Sequence, residues 1–138
     1  AYVSGAIKSA GFPDVTFIDA MTDHVPDDRL EAMIRVHAPD VVMCTAITPA
    51  IYQAQRTLEL ARRAAPNAVT VLGGIHGTFM FAQVLAEAPW IDAVVRGEGE
   101  QVFLNLVQAI DAGHWPARRA ELRGIAYADG GQVIATPA

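Results

Sequence analysis

A chain of 138 residues that is 52% hydrophobic and 18% charged can bury one core but not two, which excludes both a disordered chain and a multidomain one. Its formal charge of −5 and the lack of a basic stripe argue against nucleic acid as a partner. The single cysteine, Cys44, lies in an apolar run and reads as a small buried hydrophobe; without a disulfide framework or a membrane-spanning run, a cytoplasmic setting is expected.

The predicted elements alternate along the chain. Residues 1–10 read as a helix closed by a glycine cap at Gly11. Val15–Asp19 is short and β-branched, a predicted strand. Asp27–His37 sets Leu30, Met33 and Ile34 at helical spacing, with Asp27 or Asp28 as cap and dipole partner. Val41–Cys44 is a continuous apolar strand of the kind covered on both faces. Thr48 is expected to cap the next helix, with Pro49 in its first position and Arg62 and Arg63 in its last turn. Val69–Leu72 is a strand, Phe79–Glu87 a helix and Ile91–Val95 a strand. Glu98–Ala112 is a helix with acidic Glu98 and Glu100 at its start and Gly113 after its end. Gly124–Ala128 and Gln132–Ala135 flank Asp129-Gly130-Gly131 as a β-hairpin.

Strands alternating with helices specify an α/β domain with a parallel sheet and right-handed crossovers. The expected architecture is flavodoxin-like (Rossmann-like) and doubly wound, with a C-terminal hairpin. Such a sheet usually has five parallel strands, and only four precede the hairpin. There is no initiator Met, so the expectation is a fragment: residues 1–138 form one domain of a longer protein whose first strand lies upstream. In this fold that strand sits at the sheet centre. The isolated fragment is therefore expected to self-associate or to be marginally stable.

In an open α/β sheet, ligands bind beyond the C-terminal ends of the strands. Two strand exits there carry glycines: Val69-Thr70-Val71-Leu72-Gly73-Gly74-Ile75-His76-Gly77-Thr78 and Ile91-Asp92-Ala93-Val94-Val95-Arg96-Gly97-Glu98-Gly99-Glu100. Glycine lets the backbone turn sharply or lie close against a ligand. His76 reads as a polar loop residue, and His24, His37 and His114 share no metal-site spacing. Tyr52, Phe79 and Phe81 occupy helical positions and are expected in the core. Two other classes stay open on pattern alone. A receiver-type regulatory domain needs a lysine after its last strand, whereas the sole lysine, Lys8, is on the first helix. A nucleotide-binding domain needs a Gly-x-Gly-x-x-Gly after its first strand, which is not seen.

The blocks Gly11-Phe12 with Ile18-Asp19-Ala20, Pro39-Asp40-Val41-Val42, Leu72–Thr78, Asp92–Glu100 and Arg123-Gly124-Ile125-Ala126-Tyr127 occur in this order. Together they resemble the cobalamin-binding domain that precedes the catalytic domain of many radical S-adenosylmethionine enzymes. Within that family the chain is most similar to the anaerobic oxidative cyclases that build the fifth ring of bacteriochlorophyll. The resemblance implies cobalamin as cofactor, with its corrin across the C-terminal strand edge and its tail beside Gly73 and Gly74. It places Thr45, Ala46, His76, Gly97, Glu98 and Gly99 along the same cofactor. It also implies S-adenosylmethionine and a 4Fe-4S cluster in a downstream radical domain. The three-cysteine cluster motif does not occur here, so no catalytic residue is assigned. Nor does Asp-x-His-x-x-Gly, whose His ligates cobalt in other cobalamin domains. The lower base is therefore expected to be displaced with no protein imidazole on cobalt, and no metal ligand is assigned.

Overall fold

The computed structural model describes residues 8, 11, 12, 14–16, 25–97 and 99–138. The first predicted helix and strand fall mostly outside these. Lys8 is helical, and the Gly11 N–H donates to its carbonyl at 3.2 Å, as a glycine cap does. Val15 and Thr16 carry no strand, and residues 17–24, with Asp19 and His24, lie outside the description.

Among the described residues, five strands form one mixed sheet in the order β1 (Val41–Thr45), β2 (Val69–Gly73), β3 (Ala93–Val95), β4 (Ile125–Asp129) and β5 (Gln132–Ala135). β1, β2 and β3 are parallel, with Val41 opposite Val69 and Val71 opposite Ala93. β4 runs antiparallel to β3 and β5 antiparallel to β4, so the hairpin extends one edge as expected. Its two-residue loop is Gly130-Gly131, at φ 58° and 84°, the positive pair that a twisted hairpin needs. β5 consequently points the same way as β1–β3.

Among the described residues, the helices that cover the sheet are α1 (Asp27–His37), α2 (Ile51–Ala64), α3 (Ile75–Glu87) and α4 (Gly99–Asp111). α2 and α3 lie side by side on one face, where Ala54, Leu58, Val84 and Leu85 close over Leu72, Val94 and Ala126. α4 covers the other face, packing Phe103 and Leu106 on Val69, Val71, Ala93 and Val95. α1 stacks outside α2 through Leu30, Ile34, Leu60 and Ala61. Alternate β2 side chains thus face opposite layers, and β2 is buried along its whole length. β1 was expected to be equally covered; instead its first four residues are half-buried and Thr45 is exposed. The Cys44 thiol packs beside the α2–α3 core, and burial pushes its pKa up to about 12.

Three helix starts differ from expectation. α1 begins after Pro26 with no side-chain cap; Asp27 instead accepts from Arg56 Nε on α2 at 3.2 Å. Thr48 opens a 3-10 turn, Thr48–Ala50, ahead of α2 and caps nothing. α3 starts at Ile75, four residues earlier than the apolar spacing indicated. Gly77 makes this possible: a Cβ there would lie 2.9 Å from Val94 Cγ1, so only glycine lets this turn sit on β3. The helix then kinks at Met80 (φ −116°, ψ 26°) before continuing.

A polar cluster ties the N-terminal ends of β2 and β3 to the end of α2. Arg62 donates to the Asp92 carboxylate, to Thr70 Oγ1 at 3.1 Å and to the Ala68 carbonyl at 3.0 Å. The same Asp92 oxygen accepts from the Thr70 N–H at 3.0 Å, and Thr70 is fully buried. Beside this cluster runs a groove of about 600 Å³ lined by Phe12, Asp40, Arg62, Asp92, Trp115 and neighbours. Asp40, Ala68 and Asp92 each directly precede a strand, so the groove lies at the end of the sheet opposite the glycine turns.

Candidate functional site at the C-terminal strand edge

The connections leaving β1, β2 and β3 are joined to one another. The Ala46 N–H donates to the Gly73 carbonyl at 3.1 Å, and the Ala46 carbonyl accepts from the His76 N–H at 3.4 Å. Ala46 is buried at 4% exposure, while Thr45 before it is exposed. Gly74 makes this crossing possible. It sits at φ 101°, and a Cβ there would fall 2.5 Å from the Ala46 carbonyl oxygen and 2.8 Å from its nitrogen. Gly73 is under a milder constraint, because its Cβ would meet only the flexible end of Met43, at 2.6 Å.

His76 Nδ1 lies 3.2 Å from Thr48 Oγ1. The Thr48 hydroxyl, expected as a helix cap, therefore pairs the tops of α2 and α3. Thr78 continues the chain of contacts: its hydroxyl donates to the Gly74 carbonyl at 3.0 Å and accepts from the Gly97 N–H at 3.0 Å. Gly97 is exposed at φ 78°, and a Cβ there would meet nothing within 4 Å. Backbone at this point faces open space and can approach a bound group. Gly99 begins α4; Glu98, between these two glycines, lies outside the described residues.

Thr45, Ala46, Gly73, Gly74, His76 and Gly97 are thus gathered on one rim, with Gly99 just beyond. Thr78 and Arg96 were not foreseen. Thr78 carries a local signal, a hydroxyl placed to reach the carbonyl four residues back, but its bond to Gly97 is not visible in the chain. Arg96 follows β3 and reaches outward, its guanidinium 5.0 Å from the centre of the Phe81 ring while donating to the Thr136 carbonyl at 2.8 Å. Replacing Thr78 by Val removes two hydrogen bonds, worth about 1 kcal/mol each. Thr78→Val is expected to cost about 1–2 kcal/mol in urea unfolding, with Thr78→Ser recovering most of it; equal stability of the Val variant and the wild type would refute the link.

The expected core aromatics divide. Phe81 is half-buried and packs on the α2–α3 core. Tyr52 and Phe79 are exposed, at 68% and 77%, because Ile51 and Gly77 take the inward positions of these turns and the two rings face away from the sheet. Among the described residues, no group of three or more His, Cys, Asp or Glu is placed to hold a metal ion, and no helix is long and apolar enough to cross a membrane. What the rim offers a ligand is open backbone at Gly97, hydroxyls at Thr45 and Thr48, and the imidazole of His76. Such a set suits a large group held by shape and backbone contacts, and cobalamin carrying its own tail is one.

The chain is similar to known proteins along its whole length. The whole chain is 59% identical to the anaerobic magnesium-protoporphyrin IX monomethyl ester cyclase of Rubrivivax gelatinosus and 53% identical to that of Cereibacter sphaeroides. It spans 25% and 22% of those proteins, about a quarter of their length. An uncharacterized methyltransferase of Pyrococcus horikoshii is 35% identical over 99% of the chain, which spans 29% of that relative. The family model described as B12 binding domain matches residues 1–107, which takes in the β1, β2 and β3 connections. With this match over most of its length, the chain belongs to the B12-binding domain family.

Proposed function

We propose that this domain is the cobalamin-holding part of an anaerobic oxidative cyclase acting on magnesium-protoporphyrin IX monomethyl ester, in bacteriochlorophyll synthesis. The observation that carries the reading is the 59% and 53% identity, along the whole chain, to two proteins bearing that name. In this reading S-adenosylmethionine and a 4Fe-4S cluster belong to a further part of the same polypeptide, and the enzyme works in the cytoplasm. The single half-buried cysteine, which forms no disulfide, fits that compartment.

Within the domain, Thr45, Ala46, Gly73, Gly74, His76, Gly97, Glu98 and Gly99 are the residues proposed to border the cofactor. Cobalamin, when bound, would supply a cobalt centre able to change oxidation state. The work of the chain is binding and orientation. Gly74 brings the β2–α3 turn against Ala46, and Thr78 holds the β3–α4 loop to that turn. His76 is proposed to support the rim through Thr48, not to ligate cobalt.

The test is titration of the full-length protein with cobalamin, followed by absorbance, and electron paramagnetic resonance of the cob(II)alamin form. Saturable binding without histidine-nitrogen splitting is expected, and His76→Ala should weaken binding only modestly. A nitrogen splitting that disappears in the His76→Ala protein would overturn the assignment of His76, and no binding at all would overturn the cofactor.

A further inference from the structure

Where an arginine of this chain leaves solvent, it ordinarily meets a carboxylate. Among the described residues three arginines are half-buried: Arg62, Arg96 and Arg119. Arg62 lies against Asp92, and Arg119 lies 3.6 Å from Asp129. Arg96 has no carboxylate partner among the described residues, although Asp and Glu outnumber Lys and Arg by 15 to 10. A partly buried charge without a counter-charge carries a desolvation cost, which a bound anion would offset.

The fold holds Arg96 by its backbone and by its side chain. Its N–H donates to the Gly124 carbonyl at 2.8 Å, and the Gly124 N–H donates in turn to the Pro137 carbonyl at 2.8 Å. The guanidinium lies over the Phe81 ring, 5.0 Å from its centre, and Nη1 donates to the Thr136 carbonyl at 2.8 Å. Val95 stands opposite Ile125, and Ala126 opposite Ala135, so Gly124 and Thr136 lie at the same C-terminal strand edge as Gly97. The plane of the guanidinium is thus set by a ring and a carbonyl. Nε and Nη2, the pair of donors that grips a carboxylate or a phosphate with two parallel hydrogen bonds, have no partner among the described residues.

We propose that Arg96 is the anion-binding residue of this edge, its Nε–Nη2 pair taking an oxyanion of the molecule that the site holds. Two groups carry that chemistry: the phosphate in the nucleotide tail of cobalamin, and the carboxylate left free in a porphyrin monomethyl ester. The inference rests on the cofactor and substrate reading above. It adds to that reading a residue that selects charged over uncharged ligands.

Two matched pairs of ligands test it by absorbance and fluorescence titration of the full-length protein and of its Arg96→Met and Arg96→Lys variants. One pair is cobinamide phosphate and cobinamide, which differ by the phosphate alone. The other is magnesium-protoporphyrin IX monomethyl ester and its dimethyl ester, which differ by the free carboxylate. Arg96→Met is expected to weaken binding of the anionic member of one pair at least about tenfold and to leave its neutral member within about twofold. Arg96→Lys keeps the charge and loses the two-pronged grip, so its loss should be smaller and confined to the same ligand; it gives the same comparison if the Met variant does not fold. A loss confined to cobinamide phosphate assigns the phosphate of the cofactor, and one confined to the monomethyl ester assigns the carboxylate of the substrate. A variant that merely distorts the edge weakens both members of a pair alike. Equal effects within both pairs, or no effect in either, would overturn the proposal while leaving the cofactor reading intact. Wild-type protein that binds none of the four ligands would overturn that reading, and this proposal with it.

Discussion

Replacing Gly74 by Ala is expected to lower stability by about 3 kcal/mol, the sum of a left-handed backbone penalty of about 1–2 kcal/mol and the displacement of neighbouring backbone. Gly74 sits at φ 101°, and its Cβ would lie 2.5 Å from the Ala46 carbonyl oxygen. Backbone on both sides must move, which loosens the Ala46–Gly73 and His76–Ala46 hydrogen bonds. Gly73→Ala is the control. Its φ is not positive, and its Cβ meets only Met43 Cε, which can swing aside, so about 1 kcal/mol is expected. For a domain of this size the difference between the two variants amounts to roughly 4–8 °C in melting temperature. Equal melting temperatures for the two proteins would mean that the crossing at Ala46 does not constrain the turn. The Gly74 variant should also bind cobalamin more weakly than the Gly73 variant, because it alone shifts the β1–α2 connection. A bulky residue at Gly74 acts through Ala46 in any case, so weakened binding by itself does not locate the cofactor tail.

Asp92→Ala is expected to cost about 2–3 kcal/mol, since a buried donor left without its acceptor costs about 1–3 kcal/mol and a charged partner is lost as well. Asp92 Oδ2 accepts both from the buried Thr70 N–H and from Arg62, whose other contacts reach Pro66, Ala68 and Trp90 carbonyls. The two side chains are about a third exposed, 31% for Arg62 and 35% for Asp92, which keeps the value below that of a fully buried pair. Asp92→Asn retains an acceptor for Thr70 and is expected to recover about half of the loss. Because the cluster lies at the opposite end of the sheet, cobalamin affinity of the folded Asp92→Ala protein should match the wild type. Chemical denaturation and cofactor titration on the same preparations separate the two effects. An Asp92→Ala protein as stable as the wild type would show that the cluster is ornamental, and one that is stable but binds poorly would show that the two ends of the sheet communicate.

The sequence by itself determined the layout. Continuous apolar runs, helical spacings and glycine punctuation are local properties, so α1 was placed at its observed bounds and the β4–β5 hairpin within a residue of them. The same holds for the two glycine-bearing strand exits, since a turn with positive φ leaves a glycine in the chain. It also fixed the family, because ordered blocks around those turns reflect one fold and one ligand geometry.

Tertiary structure decided every contact between segments distant along the chain. Arg62 reads locally as a favourable charge at a helix C-terminus, yet its partner is Asp92, thirty residues on. Thr48 reads as a cap because a hydroxyl before a helix ordinarily bonds its own first turn; here His76 of α3 takes that hydroxyl instead. Tyr52 and Phe79 read as core because helical spacing shows which residues share a face and not what stands opposite that face. Only the assembled layers show that Ile51 and Gly77 take the inward positions of those turns, leaving the two aromatic rings uncovered on the outer side.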